Sequence, residues 1–255
     1  MFEVPLRWWI LFAVVTIAFW DTPRLQAFAT AVLSPRDILT EADKARGNLG
    51  GVAWELNMRT EATKGEREMT LEVQARGFDV VTTTQAPARS KGDLLIVFQN
   101  NMWFYKPGLS KPVPISKRQR LLGAASYGDV ATTNYANDYE AVLLGEELVE
   151  GIPCWVYDLT ALNNKVTYDR IKYWVDKDRL VGIKAEYYTV SGQKFKSARM
   201  EYDNRVKRDG ELKPFISRIV IQGELLKNEK TVLTFSDPIL RTIPDHTFNL
   251  DLITQ

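Results

Sequence analysis

One cysteine and one histidine are all that 255 residues contain of the two best soft metal ligands. A single cysteine excludes an intramolecular disulfide, a CxxC redox pair and a cysteine zinc site; a single histidine excludes any centre that needs two imidazoles. An excess of either charge is missing as well, since 33 Lys and Arg stand against 32 Asp and Glu, a net +1. Phosphate-backbone binding draws on a basic surplus, so no nucleic-acid partner is expected. The chain carries no GxSxG, Walker loop, GxGxxG or EF-hand spacing. Asp176/Asp178 and Glu146/Glu147 sit at turns, where solvated charge accounts for them, and His246 beside Asp245 has no nucleophile to serve. The expectation is a protein without a chemical step and without a cofactor.

What is present starts at the N-terminus. Arg7 precedes an apolar run from Trp8 to Trp20, and two overlapping small-x-small sites follow, Ala27-Phe28-Ala29 and Ala29-Thr30-Ala31. A spanning helix needs ~20 apolar residues, and this run stops at Asp21 and Pro23. The pattern is that of a secretory signal peptide over residues 1–29, cleaved after Ala29 or, alternatively, Ala31. Residues 30–255 then form one domain, long enough to bury roughly 70% of its unfolded surface without a disulfide or metal. No cysteine stands immediately after the cleavage site, so no N-terminal acylation is expected. The mature protein is expected to be a soluble exported monomer. Cys154, within Ile152-Pro153-Cys154-Trp155-Val156, fits a buried, inert thiol.

The mature chain opens with Ser34-Pro35-Arg36-Asp37, a capping-box variant, and runs to Gly47 with Ile38, Leu39, Ala42 and Ala45 on one helical face. After Gly50-Gly51 the period changes to two: Val52, Trp54, Leu56 and Met58 alternate with polar neighbours, as do Met69, Leu71, Val73 and Ala75. Strands are expected at 78–84, 94–98 and 102–105, and again at 139–145, 152–159, 166–176, 181–190, 194–203, 215–222 and 230–236. Between Pro107 and Tyr139 the alternation fails, and 117–123 and 126–137 read as two short helical pieces, a lid over a sheet. Ten or eleven strands joined mostly to their sequence neighbours make a single antiparallel sheet that curls toward a barrel.

Several strands carry apolar residues on both faces, which a sheet with one solvated face does not need. Either helices and a second layer cover the other face, or the aromatic residues line a cavity. On the second reading the lining comprises Trp54, Leu56, Met58, Leu71, Val73, Trp103, Tyr105, Leu121, Leu122, Trp155, Trp174 and Tyr187. Lys117, Arg118 and Arg120 form a basic stretch in the excursion, either a solvated face or a docking patch for an acidic partner or anionic headgroups.

Asn101-Met102-Trp103-Phe104-Tyr105-Lys106-Pro107 is similar to a Trp-Phe-Tyr-x-Pro strand end of the LolA/LolB superfamily of periplasmic lipoprotein carriers. Tyr173-Trp174-Val175-Asp176-Lys177, Glu186-Tyr187-Tyr188 and Ser191-Gly192-Gln193-Lys194 follow at that family's hairpin spacing. The chain most resembles the branch of outer-membrane lipoprotein-sorting proteins. The resemblance implies an unclosed antiparallel β-barrel with a helical lid and a cavity for acyl chains. It also implies a lipoprotein or lipid cargo, an inner-membrane exporter and an outer-membrane acceptor. Carriers of this family hold the lid with an arginine followed by proline; Arg76 is the nearest match, with Gly77 in place of the proline. The rival reading is a lipid-responsive envelope sensor, or an accessory subunit of a lipid exporter.

Overall fold

Alternation of apolar and polar residues decides most of the architecture. The computed structural model describes Phe2 and residues 33–61, 65–131, 133–224 and 229–253. The signal peptide expected over 1–29 lies, apart from Phe2, outside these residues.

The chain enters through α1 (Pro35–Lys44), started by a complete capping box. The Asp37 N–H donates to Ser34 Oγ at 3.2 Å, and the Asp37 carboxylate accepts from the Ser34 N–H at 3.2 Å. Such a cap contributes about 0.5–2 kcal/mol to a short helix. Ile38, Leu39 and Ala42 form its buried stripe.

Strands β1 (Val52–Glu61), β2 (Arg67–Arg76), β3 (Asp79–Ala86), β4 (Leu94–Phe98), β5 (Asn101–Tyr105) and β6 (Val113–Pro114) follow as a meander. An excursion comes next, with β7 (Arg120–Leu122), β8 (Ala125–Ser126) and α2 (Tyr135–Asp138). The second meander is β9 (Tyr139–Val149), β10 (Ile152–Ala161), β11 (Arg170–Asp176), β12 (Gly182–Tyr188) and β13 (Lys194–Glu201). A separate hairpin, β14 (Asn204–Arg208) and β15 (Glu211–Phe215), precedes β16 (Arg218–Gly223) and β17 (Lys230–Leu240); α3 (Leu250–Ile253) ends the described chain.

Thirteen strands form one antiparallel sheet in the order β6-β5-β4-β3-β2-β1-β17-β16-β13-β12-β11-β10-β9. The two meanders meet through β1 and β17, which return from opposite ends of the sequence to pair Val52 with Leu240 and Thr60 with Thr231. The sheet exceeds the ten or eleven strands expected; two-residue β6, for one, shows no alternation at all. The segment 202–215 adds a hairpin that stands outside the sheet.

The sheet curls strongly. Lys165, in the β10–β11 turn, donates to Asn101 Oδ1 of β5 at 3.2 Å. Ten strand spacings separate β5 from β10 in the sheet order, roughly 48 Å if it were flat. It is nevertheless open. Neither β6 nor β9 has a second partner in the sheet, so no barrel closes. The β6 edge is two residues long and ends in Pro114. The β9 edge runs eleven residues and exposes Val142, Leu143, Leu144 and Leu148.

The expected helical pieces in the excursion are corrected in part. Residues 120–126 form a β-hairpin, because Gly123 takes φ +54° and turns the chain between Leu122 and Ala125. Of the second piece, 126–137, a 3-10 turn at Tyr127–Asp129 and the four-residue α2 remain. The covering segment is therefore mostly turns and a hairpin, tied down by side chains.

Candidate functional site

Residues that pair across strands share a face, so the register sorts the sheet into an inner and an outer side. The inner side carries Trp54, Leu56 and Met58 of β1, Leu71 and Val73 of β2, Val97 of β4 and Met102 of β5, then Tyr157, Tyr173 and Tyr187 of the second meander; all belong to one buried cluster. Trp155 packs against it, half-buried. Leu122 and Leu121 of the excursion pack onto the same cluster from above.

Three of the expected lining residues face the other way. Trp103 pairs with Ile96 and Tyr105 with Leu94, whereas Met102 and Phe104 pair with the inward Val97 and Leu95. Trp174 lies in a small outer cluster with Cys154, Val156 and Ile183, and its indole N–H donates to Glu147 at 2.7 Å. Lys184 and Lys172 sit over its ring. Sequence alternation identifies which residues share a face with each other; β5 is apolar on both faces and gives no sign of which face is inner, whereas Trp174 shares its side of β11 with Arg170, Lys172 and Asp176.

The inner side is covered by α1 and the excursion. At its tip the hairpin rests on two paired threonines: a Cβ on Gly123 would lie 2.4 Å from Thr60 Oγ1 and 2.3 Å from Thr231 Oγ1. The Ala124 N–H donates to Thr231 Oγ1 at 2.9 Å. Gly128 similarly abuts Thr167, leaving no room for a side chain.

Charged groups fasten the cover elsewhere. Lys196 of β13 is 3% exposed; its ammonium donates to Asp129 Oδ2 at 2.7 Å and to the Tyr168 hydroxyl at 2.6 Å. That hydroxyl in turn donates to Asp129 Oδ1 at 2.5 Å. Burial and the adjacent Asp129 carboxylate push the Tyr168 hydroxyl well above the ordinary phenol range. The Tyr168 ring stacks on Tyr187 with 3.9 Å between centroids. A buried ion pair of this kind persists when further hydrogen bonds support it; here the ammonium also donates to Ser126 Oγ at 3.3 Å and the carboxylate accepts the Ser126 N–H at 2.7 Å.

A second polar group lies at the end of α1. Asp43, fully buried, accepts the Ala136 N–H of α2 at 2.9 Å, while its other oxygen has no partner. Burial pushes this carboxyl up to about 7. Arg46 lies against the Tyr135 ring, 5.3 Å from its centroid, with Nη1 unpartnered.

Lys117, Arg118 and Arg120 are each engaged within the protein. Arg118 makes a bidentate pair with Asp169 at 2.9 and 2.8 Å and donates to the Val166 carbonyl at 3.0 Å. Arg120 pairs with Glu229 at 3.0 Å, and Lys117 donates to Asn100 Oδ1 at 2.5 Å. These residues thus fasten the excursion to the β10–β11 turn, to the residue preceding β17 and to the β4–β5 turn. Arg76, the expected latch, makes its contacts elsewhere. It donates to Asp245 at 2.5 Å and to the Ile243 carbonyl at 3.1 Å, and lies over Phe248. It holds the C-terminal turn against the outer side.

Where the excursion meets the sheet, a cavity of ≈ 330 Å³ remains, with Arg46, Lys117, Thr133, Tyr135 and Val97 among its walls. Lys196, Asp129, Tyr168, Asp43 and Arg46 had no signal in the sequence beyond their charge.

A family model described only as an uncharacterized protein matches residues 79–255. A crystal structure of a LolA superfamily protein from Nitrosomonas europaea is 31% identical, covers 86% of this chain and 99% of its own, and superposes with a TM-score of 0.77. A DUF1329 family protein from Desulfovibrio piger is 20% identical, with 86% and 97% covered and a TM-score of 0.72. A domain from Vibrio parahaemolyticus, described as an outer membrane lipoprotein-sorting protein domain, is 16% identical, with 86% and 98% covered and a TM-score of 0.73. The last two likenesses are of fold. No curated protein matches the sequence.

Proposed function

The chain belongs to the LolA superfamily, and on that footing we propose that it is a periplasmic carrier that shields acyl chains of a lipoprotein or lipid during transit to the outer membrane. One observation carries this reading. The inner side of the open sheet is apolar from β5 to β10, yet no strand of the sheet covers it; α1 and a separately fastened excursion do. Lifting the excursion would exchange its own Leu122, Val130 and Tyr135 for a ligand's methylenes on the same surface. Each CH₂ so buried is worth ~0.8 kcal/mol, so two or three partly buried chains supply micromolar affinity. Release then requires an acceptor that binds the chains better, or one that favours the covered state. The expected signal peptide over 1–29 and the periplasmic address belong to the same proposal, as do an inner-membrane donor and an outer-membrane acceptor.

Native mass spectrometry of the protein from a periplasmic extract, with lipid extraction of the same sample, tests it. Mass additions matching acyl lipid or a triacylated peptide are expected. A clean polypeptide mass that also takes up no added triacylated lipopeptide would overturn the carrier reading.

A further inference from the structure

The basic stretch at Lys117, Arg118 and Arg120 is spent on bonds within the protein, but four other cations are not. Arg89 and Lys91 lie in the β3–β4 turn, Lys106 and Lys111 in the β5–β6 turn; all four are exposed, and among the described residues none forms an ion pair or a hydrogen bond. By contrast, Arg170 meets Asp158, Lys172 meets Glu147 and Arg218 meets Glu201 across neighbouring strands. The two turns stand side by side. Leu94, at the start of β4, pairs with Thr83 near the end of β3 and with Tyr105 at the end of β5, so both turns leave the sheet at the same end. They also touch, since a Cβ on Gly92 would lie 3.2 Å from Pro107 Cγ.

Lys106-Pro107-Gly108-Leu109 is a type II turn, with proline second, Gly108 third at φ +96°, and the Leu109 N–H donating to the Lys106 carbonyl at 3.0 Å. It leaves Leu109, 41% exposed, between the two lysines. No exposed acid balances the four cations. Asp93, the one carboxylate in the two turns, is buried. In the neighbouring β1–β2 hairpin Glu66 pairs with Arg59, Glu68 accepts from Asn57 at 2.6 Å, and Glu61 lies 3.8 Å from Lys230. In a chain of net charge +1, the unpaired positive charge is thus gathered at one end of the sheet. Four or more basic residues around an exposed apolar side chain are the chemistry that holds a protein at an anionic bilayer. Long side chains on two convex turns suit phosphates that move in the plane of a fluid surface better than the fixed carboxylates of a folded partner.

We propose that the β3–β4 and β5–β6 turns dock this protein on an anionic membrane surface, with Arg89, Lys91, Lys106 and Lys111 against lipid phosphates and Leu109 among the headgroups. This surface goes beyond the carrier reading and does not depend on what fills the inner side. Pro107 is also where the covering excursion begins, so docking brings the root of the cover to the lipid.

Co-sedimentation of the purified protein with vesicles of phosphatidylglycerol and of phosphatidylcholine tests the proposal. Binding to phosphatidylglycerol is expected to be tighter by about tenfold or more and to weaken as salt is raised. Each basic residue near an anionic surface strengthens binding about fivefold. Lys106→Gln with Lys111→Gln, and Arg89→Gln with Lys91→Gln, should therefore each lower the affinity about twentyfold, and Leu109→Ser should lower it severalfold. Arg205→Gln with Lys207→Gln removes the same charge from the hairpin β14–β15 and should change the affinity by no more than about twofold. Equal binding to both lipids overturns the proposal, as does a β14–β15 pair that weakens binding as much as the turn pairs do. So does soluble polyglutamate bound as tightly as phosphatidylglycerol vesicles, which would make this a surface for an acidic polypeptide. A protein that takes up no lipopeptide yet binds phosphatidylglycerol through these turns keeps the docking surface and loses the carrier reading; lipopeptide uptake without this binding does the reverse.

Discussion

Lys196 and Asp129 meet 2.7 Å apart beneath the surface, joining the middle of the sheet to the segment that covers it. The two side chains are 4% and 7% exposed, and Tyr168 bonds to both. The pair is thus both a piece of core and the fastening of the cover. That double role makes its removal more informative than that of any surface pair.

Lys196→Met should leave Asp129 buried without its counter-charge and destabilise the fold by about 3–5 kcal/mol, as should Asp129→Leu by leaving the ammonium unpaired. The double variant Lys196→Met, Asp129→Leu should recover much of that loss, since an apolar pair needs no desolvation. Urea denaturation of the four proteins measures both effects; additive losses in the double variant would contradict the assignment.

Gly123→Ala places a methyl against Thr60 and Thr231 at a backbone angle that L-residues avoid. A loss of ~1–3 kcal/mol is expected, with faster amide exchange confined to 117–131. Exchange that rises uniformly across the sheet would mean that the hairpin is no separate unit.

Arg118→Ala breaks the bidentate pair with Asp169, whose partners are 38% and 30% exposed. Solvent screening limits the stability change to about 1 kcal/mol or less. Lipopeptide uptake should nevertheless accelerate, because this contact holds the cover to the β10–β11 turn. Stopped-flow fluorescence of a labelled lipopeptide reads the rate.

Asp43 supplies a pH dependence. Its carboxyl titrates near 7 in the folded protein and near 3.8 when unfolded. Between those values the folded state binds more protons than the unfolded one, so stability falls as pH rises through this window and levels off above it. Arg46, just past the end of its helix, and Asp138, on the packed α2, are the charges that act on it. Asp43→Asn keeps an acceptor for Ala136 and should flatten the slope, which thermal melts at about pH 5 and about pH 8 would show.

The two faces give a paired test. Trp155→Asp should reduce lipopeptide occupancy in native mass spectra, whereas Trp103→Asp, on the outer side, should leave it unchanged. The reverse result would invert the assignment of faces.

Much of this was legible before any coordinates. The Ser34–Asp37 cap and the strict alternation in Val52–Met58 and Met69–Ala75 set α1, β1 and β2 correctly, because one face of each is buried and the other wet. Trp103 shows where that logic stops: its strand is apolar on both sides, and period two then reports parity without direction, whereas Trp174 faces outward with Arg170, Lys172 and Asp176, whose charges mark that side. The excursion misled for another reason. Leu121, Leu122 and the flanking glycines resemble a broken helix, yet a positive φ at Gly123 and contact with Thr60 and Thr231, paired across β1 and β17 and both far from Gly123 in sequence, make a hairpin. Lys196, Asp129 and Arg46 were invisible, since a charge is buried by distant neighbours and not by its own sequence.

The unequal edges of the sheet limit how copies of this chain can join. Edge-to-edge growth needs free backbone groups on both sides of every molecule, and here one side stops at Pro114 after two residues. Of the two edges of the thirteen-stranded sheet described here, β9 alone is long, so two copies that pair there consume each other's free edge about a twofold axis. Such pairing terminates at two. Among the described residues a fibril has no second growing surface to recruit, and a protein with an apolar rim can reach high concentration without seeding its own polymer.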